Sequence, residues 1–62
     1  MKAKQFIQLI EKNGWYFVRQ TGSHKVFKHK DFPNNLSVPD HGAKDLKIGT
    51  LKKLLKDARI QQ

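Results

Sequence analysis

The sequence predicts an α+β fold in the order α-β-β-β-α, a three-stranded antiparallel sheet with two helices packed on one face. Three observations lead there. Apolar residues recur at helical spacing near both ends, at Ala3, Phe6, Ile7 and Ile10 and again at Ile48, Leu51, Leu54, Leu55 and Ala58. Between them lie short runs rich in aromatic and β-branched residues, broken by glycine, proline and asparagine. The chain has 62 residues, read as one domain spanning 1–62, so nearly every large apolar side chain is needed in one shared core.

The first helix carries its stripe on Ala3, Phe6, Ile7 and Ile10, widened by Leu9, and Asn13-Gly14 ends it. Trp15 to Gln20 reads as a strand, and a second strand runs from His24 to His29. The two form a hairpin around Thr21-Gly22. Thr21 suits the positive φ of a two-residue loop poorly, so a four-residue turn from Gln20 to Ser23 is an equal alternative. In the second strand His24, Val26 and Lys28 share one face, and Lys25, Phe27 and His29 the other. Neither face is purely apolar, so parity leaves the side of His24 open.

Lys30 to Asn35, with Asp31, Pro33 and two asparagines, reads as a turn. Leu36-Ser37-Val38 is a short third strand closed by Pro39. Asp40 to Lys47 is a polar connection that bends at His41-Gly42. The last helix starts near Ile48, with Asp45 or Thr50 as its cap and Lys52, Lys53 and Lys56 on its outer, solvated side. This order on a basic chain is the architecture of the double-stranded-RNA-binding domain.

Thirteen Lys and Arg against five Asp and Glu give a formal charge of +8, the electrostatic footprint of a nucleic-acid binder. A basic face for an acidic protein partner is the rival reading. No cysteine is present, which excludes disulfides and thiolate metal sites. His24, His29 and His41 lack the i, i+4 spacing of helical zinc ligands, so no metal or other cofactor is expected. No run approaches the roughly 20 apolar residues of a membrane span. The polar-interrupted N-terminus is unlike a signal region, so a cytoplasmic location is expected.

The residues with most chemical content are Gly22-Ser23-His24-Lys25. Histidine accepts and donates protons near neutral pH. Metal-free RNA cleavage needs a base for the 2′-hydroxyl, an acid for the leaving 5′-oxygen, and positive charge near the phosphate. His24 is therefore the candidate catalytic residue. Lys25, Lys28 and, depending on hairpin register, Arg19 are candidates for the positive charge. Gly22 permits close backbone approach to a phosphate, which the Ser23 hydroxyl and amide would anchor. His29 and His41 read as surface or loop-fixing residues.

Gly14-Trp15, Arg19-Gln20-Thr21-Gly22-Ser23-His24-Lys25, Val38-Pro39 with His41-Gly42, Lys44-Asp45-Leu46-Lys47 and Gly49-Thr50-Leu51 occur in the order and spacing of the HicA toxin family. The chain resembles that family from about residue 2 to residue 60. The resemblance implies a double-stranded-RNA-binding-like fold and metal-independent mRNA interferase activity that arrests translation. It also implies a type II toxin–antitoxin system with a HicB-like antitoxin masking the active site. The free toxin is then expected to be monomeric, and oligomeric in the antitoxin complex. The family's essential histidine falls on His24, with Gly22 and Ser23 as its neighbours. Where the family often has Arg, Lys25 supplies charge without bidentate grip. Ile48 stands where the family often has Pro. The alternative function is a non-catalytic double-stranded-RNA-binding module.

Overall fold

The structure, a computed structural model, describes residues 1–42 and 44–60. The predicted order is realised as α1 (Ala3–Lys12), β1 (Tyr16–Thr21), β2 (His24–His29), β3 (Phe32–Pro39) and α2 (Ile48–Asp57). The strands form one antiparallel sheet in the order β1-β2-β3. Phe6 and Ile10 of α1 and Leu54 of α2, with Ala58 just beyond it, pack with Phe27, Leu36 and Val38 of the sheet into one core.

Helix α1 ends in a Schellman motif. The Trp15 N–H donates to the Ile10 carbonyl at 3.1 Å and the Gly14 N–H to the Glu11 carbonyl at 3.2 Å. Gly14 has φ +96°, a conformation that L side chains adopt only under strain. Ile10 and Trp15, whose carbonyl and amide respectively close the motif, are both buried. Trp15, expected to open the first strand, stands one residue ahead of it as an anchor. Its indole N–H donates to the Ala58 carbonyl at 3.2 Å, tying the end of α1 to the end of α2.

The β1–β2 loop is the two-residue Gly22-Ser23, one position later than Thr21-Gly22, with Thr21 paired to His24. The reason is conformational. Gly22 takes the positive φ of +59°, as the first loop residue of a II′-type turn requires, while Thr21 stays extended. The third strand is much longer than Leu36–Val38. Only Lys30 and Asp31 turn, and Phe32 already pairs with His29. Pro33, Asn34 and Asn35 are accommodated as an irregularity between the pairs His29↔Phe32 and Phe27↔Leu36. β3 is an edge strand, where a proline and a bulge are tolerated.

Helix α2 is preceded by Lys47 with no side-chain cap, so neither Asp45 nor Thr50 caps it. Asp45 instead bridges to Lys2, and the Leu46 N–H donates to the Met1 carbonyl at 2.9 Å. At the far end a second Schellman motif joins Ile60 N–H to Leu55 O and Arg59 N–H to Lys56 O, each at 3.0 Å. Arg59 occupies the left-handed position at φ +60°. Its guanidinium lies 4.6 Å from the Phe32 ring centroid, a cation–π contact that offsets part of the backbone strain.

Register settles the two faces of the sheet. Phe27 pairs with Leu36 and Lys25 with Val38, and Leu36 and Val38 are core residues. Lys25, Phe27 and His29 therefore belong to the helix-covered face, and His24, Val26 and Lys28 to the open one.

Two glycines should respond oppositely to alanine. A Cβ on Gly14 would sit 2.6 Å from His29 Nε2 at a positive φ, so Gly14→Ala should cost about 2–3 kcal/mol. Gly49 lies in α2 with nothing within 4 Å of its built Cβ, so Gly49→Ala should stabilise by up to about 1 kcal/mol. Urea denaturation of both variants reads the signs directly.

Candidate active site

His24 opens β2, paired with Thr21 on one side and Pro39 on the other. It is exposed, and its Nδ1 lies 3.4 Å from Ser37 Oγ, a long, weak contact that orients the ring without burying it. His24 lines a groove that spans the free edge of β3: Asn35, Ser37 and Pro39 come from the open face, Leu36 from the core side, and Thr50, Lys53 and Asp57 from α2. A second groove shares Pro39 and Thr50 and adds His41, Lys44 and Lys47. The two grooves adjoin at Pro39 and Thr50, His24 lining one and His41 the other.

The expected phosphate-binding residues are distributed unevenly around this imidazole. Arg19 pairs with Val26 and stands on the His24 face. A β-bulge puts it there: Phe17 pairs with Phe27, Val18 is passed over, and Arg19 takes the next position. Without the extra residue Arg19 would fall on the helix side. Gly22 and Ser23 form the turn directly before His24. Gly22 is open, with nothing within 4 Å of a built Cβ, whereas the Ser23 carbonyl accepts the Asp40 N–H at 2.7 Å. Lys28 is on the open face but four residues along the strand, roughly 13 Å away.

Lys25 faces the other way. Its ammonium lies 2.9 Å from the Asp40 carboxylate, and the structure does not bring it together with His24. Asp40 Oδ1 also accepts the Gly42 N–H at 3.1 Å. Gly42, at φ +73°, completes a turn that presents His41 to solvent.

His29 is a scaffold residue. Its Nε2–H donates to the Asn13 carbonyl at 2.8 Å, and its Nδ1 accepts the Asp31 N–H at 3.0 Å. These partners fix the neutral Nε2–H tautomer, since a carbonyl only accepts and an amide N–H only donates. The ring meets Trp15 edge-on, with centroids 5.2 Å apart. It fixes its loop, as one of its two sequence readings had it, and has no free nitrogen for chemistry.

The contribution of α2 was invisible in sequence. Lys53 reads there as part of a solvated lysine face, yet it shares the groove with His24. The two are 29 positions apart, and no local pattern links them. Among the described residues no group of three His, Cys, Asp or Glu is placed to hold a metal ion. No helix among them is long and apolar enough to cross a membrane.

The Lys25–Asp40 pair has a pH signature. The hydrogen bond from Lys25 first, and that from the Gly42 amide second, hold the Asp40 carboxyl below its ordinary value of 3.8. A carboxyl lowered in the folded state stabilises above its unfolded pKa, and that stabilisation is lost as pH falls through the folded value. Asp40→Asn keeps the acceptor for Gly42 and removes the charge. The gap in Tm between wild type and Asp40→Asn should be constant from about pH 7 to about pH 5 and close progressively below about pH 4. Thermal melts across that range test it.

Comparison with curated proteins returns no match. The family model for the HicA toxin of bacterial toxin–antitoxin systems matches residues 3–60, nearly the whole chain. With the α-β-β-β-α fold, this places the chain as a member of the HicA toxin family.

Proposed function

We propose that this toxin is a metal-independent endoribonuclease that cleaves mRNA and so arrests translation, with His24 as general acid or base. One observation supports this reading above the rest. The His24 imidazole is exposed at a groove that also holds Lys53, with Arg19 on the same face of the sheet and a chain charge of +8 around it. The charge gathers the polyanion by counterion release. The groove then offers a proton-transfer group with Lys53 in the same lining and Arg19 on the same face of the sheet.

Cleavage proceeds by attack of a ribose 2′-oxygen on the adjacent phosphorus. The bond from phosphorus to the 5′-oxygen breaks, leaving a 2′,3′-cyclic phosphate and a 5′-hydroxyl. His24 carries one of the two protons that move. Lys53 and Arg19 stabilise the charge that develops on the non-bridging oxygens. Gly22 and Ser23 border the phosphate position, and Lys28 draws on the strand further along. The substrate is mRNA in the cytoplasm. Family membership implies a HicB antitoxin, and its role in this reading is to cover the His24 groove.

His24→Ala should fold normally, because the side chain is exposed, and keep near-normal antitoxin binding through the rest of the covered surface, while RNA cleavage falls by about 10²–10⁴-fold and growth arrest disappears. Lys53→Gln should lower the cleavage rate by about tenfold to a hundredfold, with Lys53→Arg retaining most of it. End-group analysis of a defined RNA should show 2′,3′-cyclic phosphates. Full toxicity of His24→Ala would remove His24 from this role. RNA retention without products from wild type would return the protein to a binding module.

A further inference from the structure

Transphosphorylation moves two protons at two different atoms. One leaves the 2′-hydroxyl, and the other arrives at the 5′-oxygen on the far side of the phosphorus. A single imidazole standing on one side serves one of these positions well. Given the reading of His24 above, the site therefore needs a second proton-transfer group close by.

Of the three histidines, His29 has both ring nitrogens engaged in the scaffold. His41 has neither engaged by a hydrogen bond among the described residues, and it is exposed. We propose that His41 is the second proton-transfer group of the His24 site.

The backbone brings the two histidines to one end of the sheet. Pro39 is the direct cross-strand partner of His24. The next residue, Asp40, donates its N–H to Ser23, the residue before His24, at 2.7 Å. His41 follows at once. Its groove and the His24 groove share Pro39 and Thr50, so the two histidines border the same pair of residues.

The loop carrying His41 is also held. Asp40 is pinned by Lys25 at 2.9 Å, by the Ser23 carbonyl, and by the Gly42 N–H at 3.1 Å. Gly42 at φ +73° lets the turn close. A proton-transfer group needs such fixing, because misplacement by about 1 Å costs on the order of a hundredfold in rate. The charged groups around it are Asp40 in its own turn and Lys44, Asp45 and Lys47 lining its groove. These two lysines are matched by two carboxylates, so the attraction for phosphate comes from the chain's net charge of +8.

The step is balanced without any further reactant. One imidazole takes the 2′-hydroxyl proton as the oxygen–phosphorus bond forms. The other, as imidazolium, gives its proton to the 5′-oxygen as the phosphorus–oxygen bond breaks. The acid member ends neutral and the base member protonated, and exchange with water restores both.

A sulfur-for-oxygen substrate separates the two roles. Once wild-type cleavage of a defined RNA is mapped, the same RNA is made with sulfur replacing the 5′-oxygen at the cleaved bond. Thiolate leaves without a proton, so the loss of the general acid no longer matters. His41→Ala should cut the normal RNA at least a hundredfold more slowly, with RNA retention within twofold of wild type. On the sulfur RNA one of His24→Ala and His41→Ala should return to within about threefold of wild type, and the other should not. His41→Ala cleaving normal RNA at the wild-type rate overturns the proposal. So does rescue of both variants, or of neither. Absence of cleavage by wild type instead defeats the ribonuclease reading, and normal cleavage by His24→Ala defeats the assignment of His24 alone.

Discussion

The hydrogen bond from the Trp15 indole to the Ala58 carbonyl is the constraint on which the rest of the molecule depends. The tryptophan is 2% exposed and has four neighbours of different origin. Its amide closes the end of α1, and its indole N–H satisfies a carbonyl at the end of α2. Its ring meets His29 at the end of β2 and Phe32 at the start of β3. A chain this small has few apolar residues with which to fix two helices on a sheet. A buried aromatic with one polar handle does so at a single point. Gly14 is required beside it because the His29 ring leaves no room for a Cβ.

That anchoring point lies at the opposite end of the sheet from the candidate chemistry. His29 and His24 are the two ends of β2, roughly 16 Å apart. The same residue type serves two purposes because of what surrounds each ring. His29 has an acceptor at one nitrogen and a donor at the other, so both ring nitrogens are engaged and its tautomer is fixed. Among the described residues His24 has only the distant Ser37 hydroxyl at 3.4 Å, which orients the ring and leaves the other nitrogen without a partner there. The scaffold end packs His29 against Trp15 and Phe32, whereas the site end presents an exposed group on a paired strand.

The helices were legible because the 3.6 period of Phe6, Ile7 and Ile10, and of Leu51, Leu54 and Leu55, reports burial directly. The hairpin was legible to within one residue. Its exact loop was not, since Thr21-Gly22 and Gly22-Ser23 differ only in which residue adopts positive φ. β3 was foreshortened because Asn34 and Pro33 carry turn propensities, which tertiary pairing with His29 overrides. The Asn34 side-chain amide is engaged by the Asp57 carbonyl at 3.2 Å, a partner remote in sequence. His24 itself stood out from its glycine-containing turn and the charge around it. Its face did not, because that depends on pairing with Val38 and Pro39 and not on anything within β2.

Arg19 and Lys25 show how little of a charged site is decided by sequence proximity. Lys25 adjoins His24 in the chain, but the pleat turns it to the other face, where Asp40 takes up its charge. Arg19 is five residues away, and its own strand would carry it to the helix side but for the bulge at Val18. One extra residue in β1 thus adds a cation to the open face, and strand alternation removes another. Lys25 still serves the site indirectly. By holding Asp40 it holds the turn that ends β3, and with it the placement of His41 beside the groove. Its positive charge acts within the protein, fixing geometry, while Arg19 and Lys53 have no ion-pair partner among the described residues.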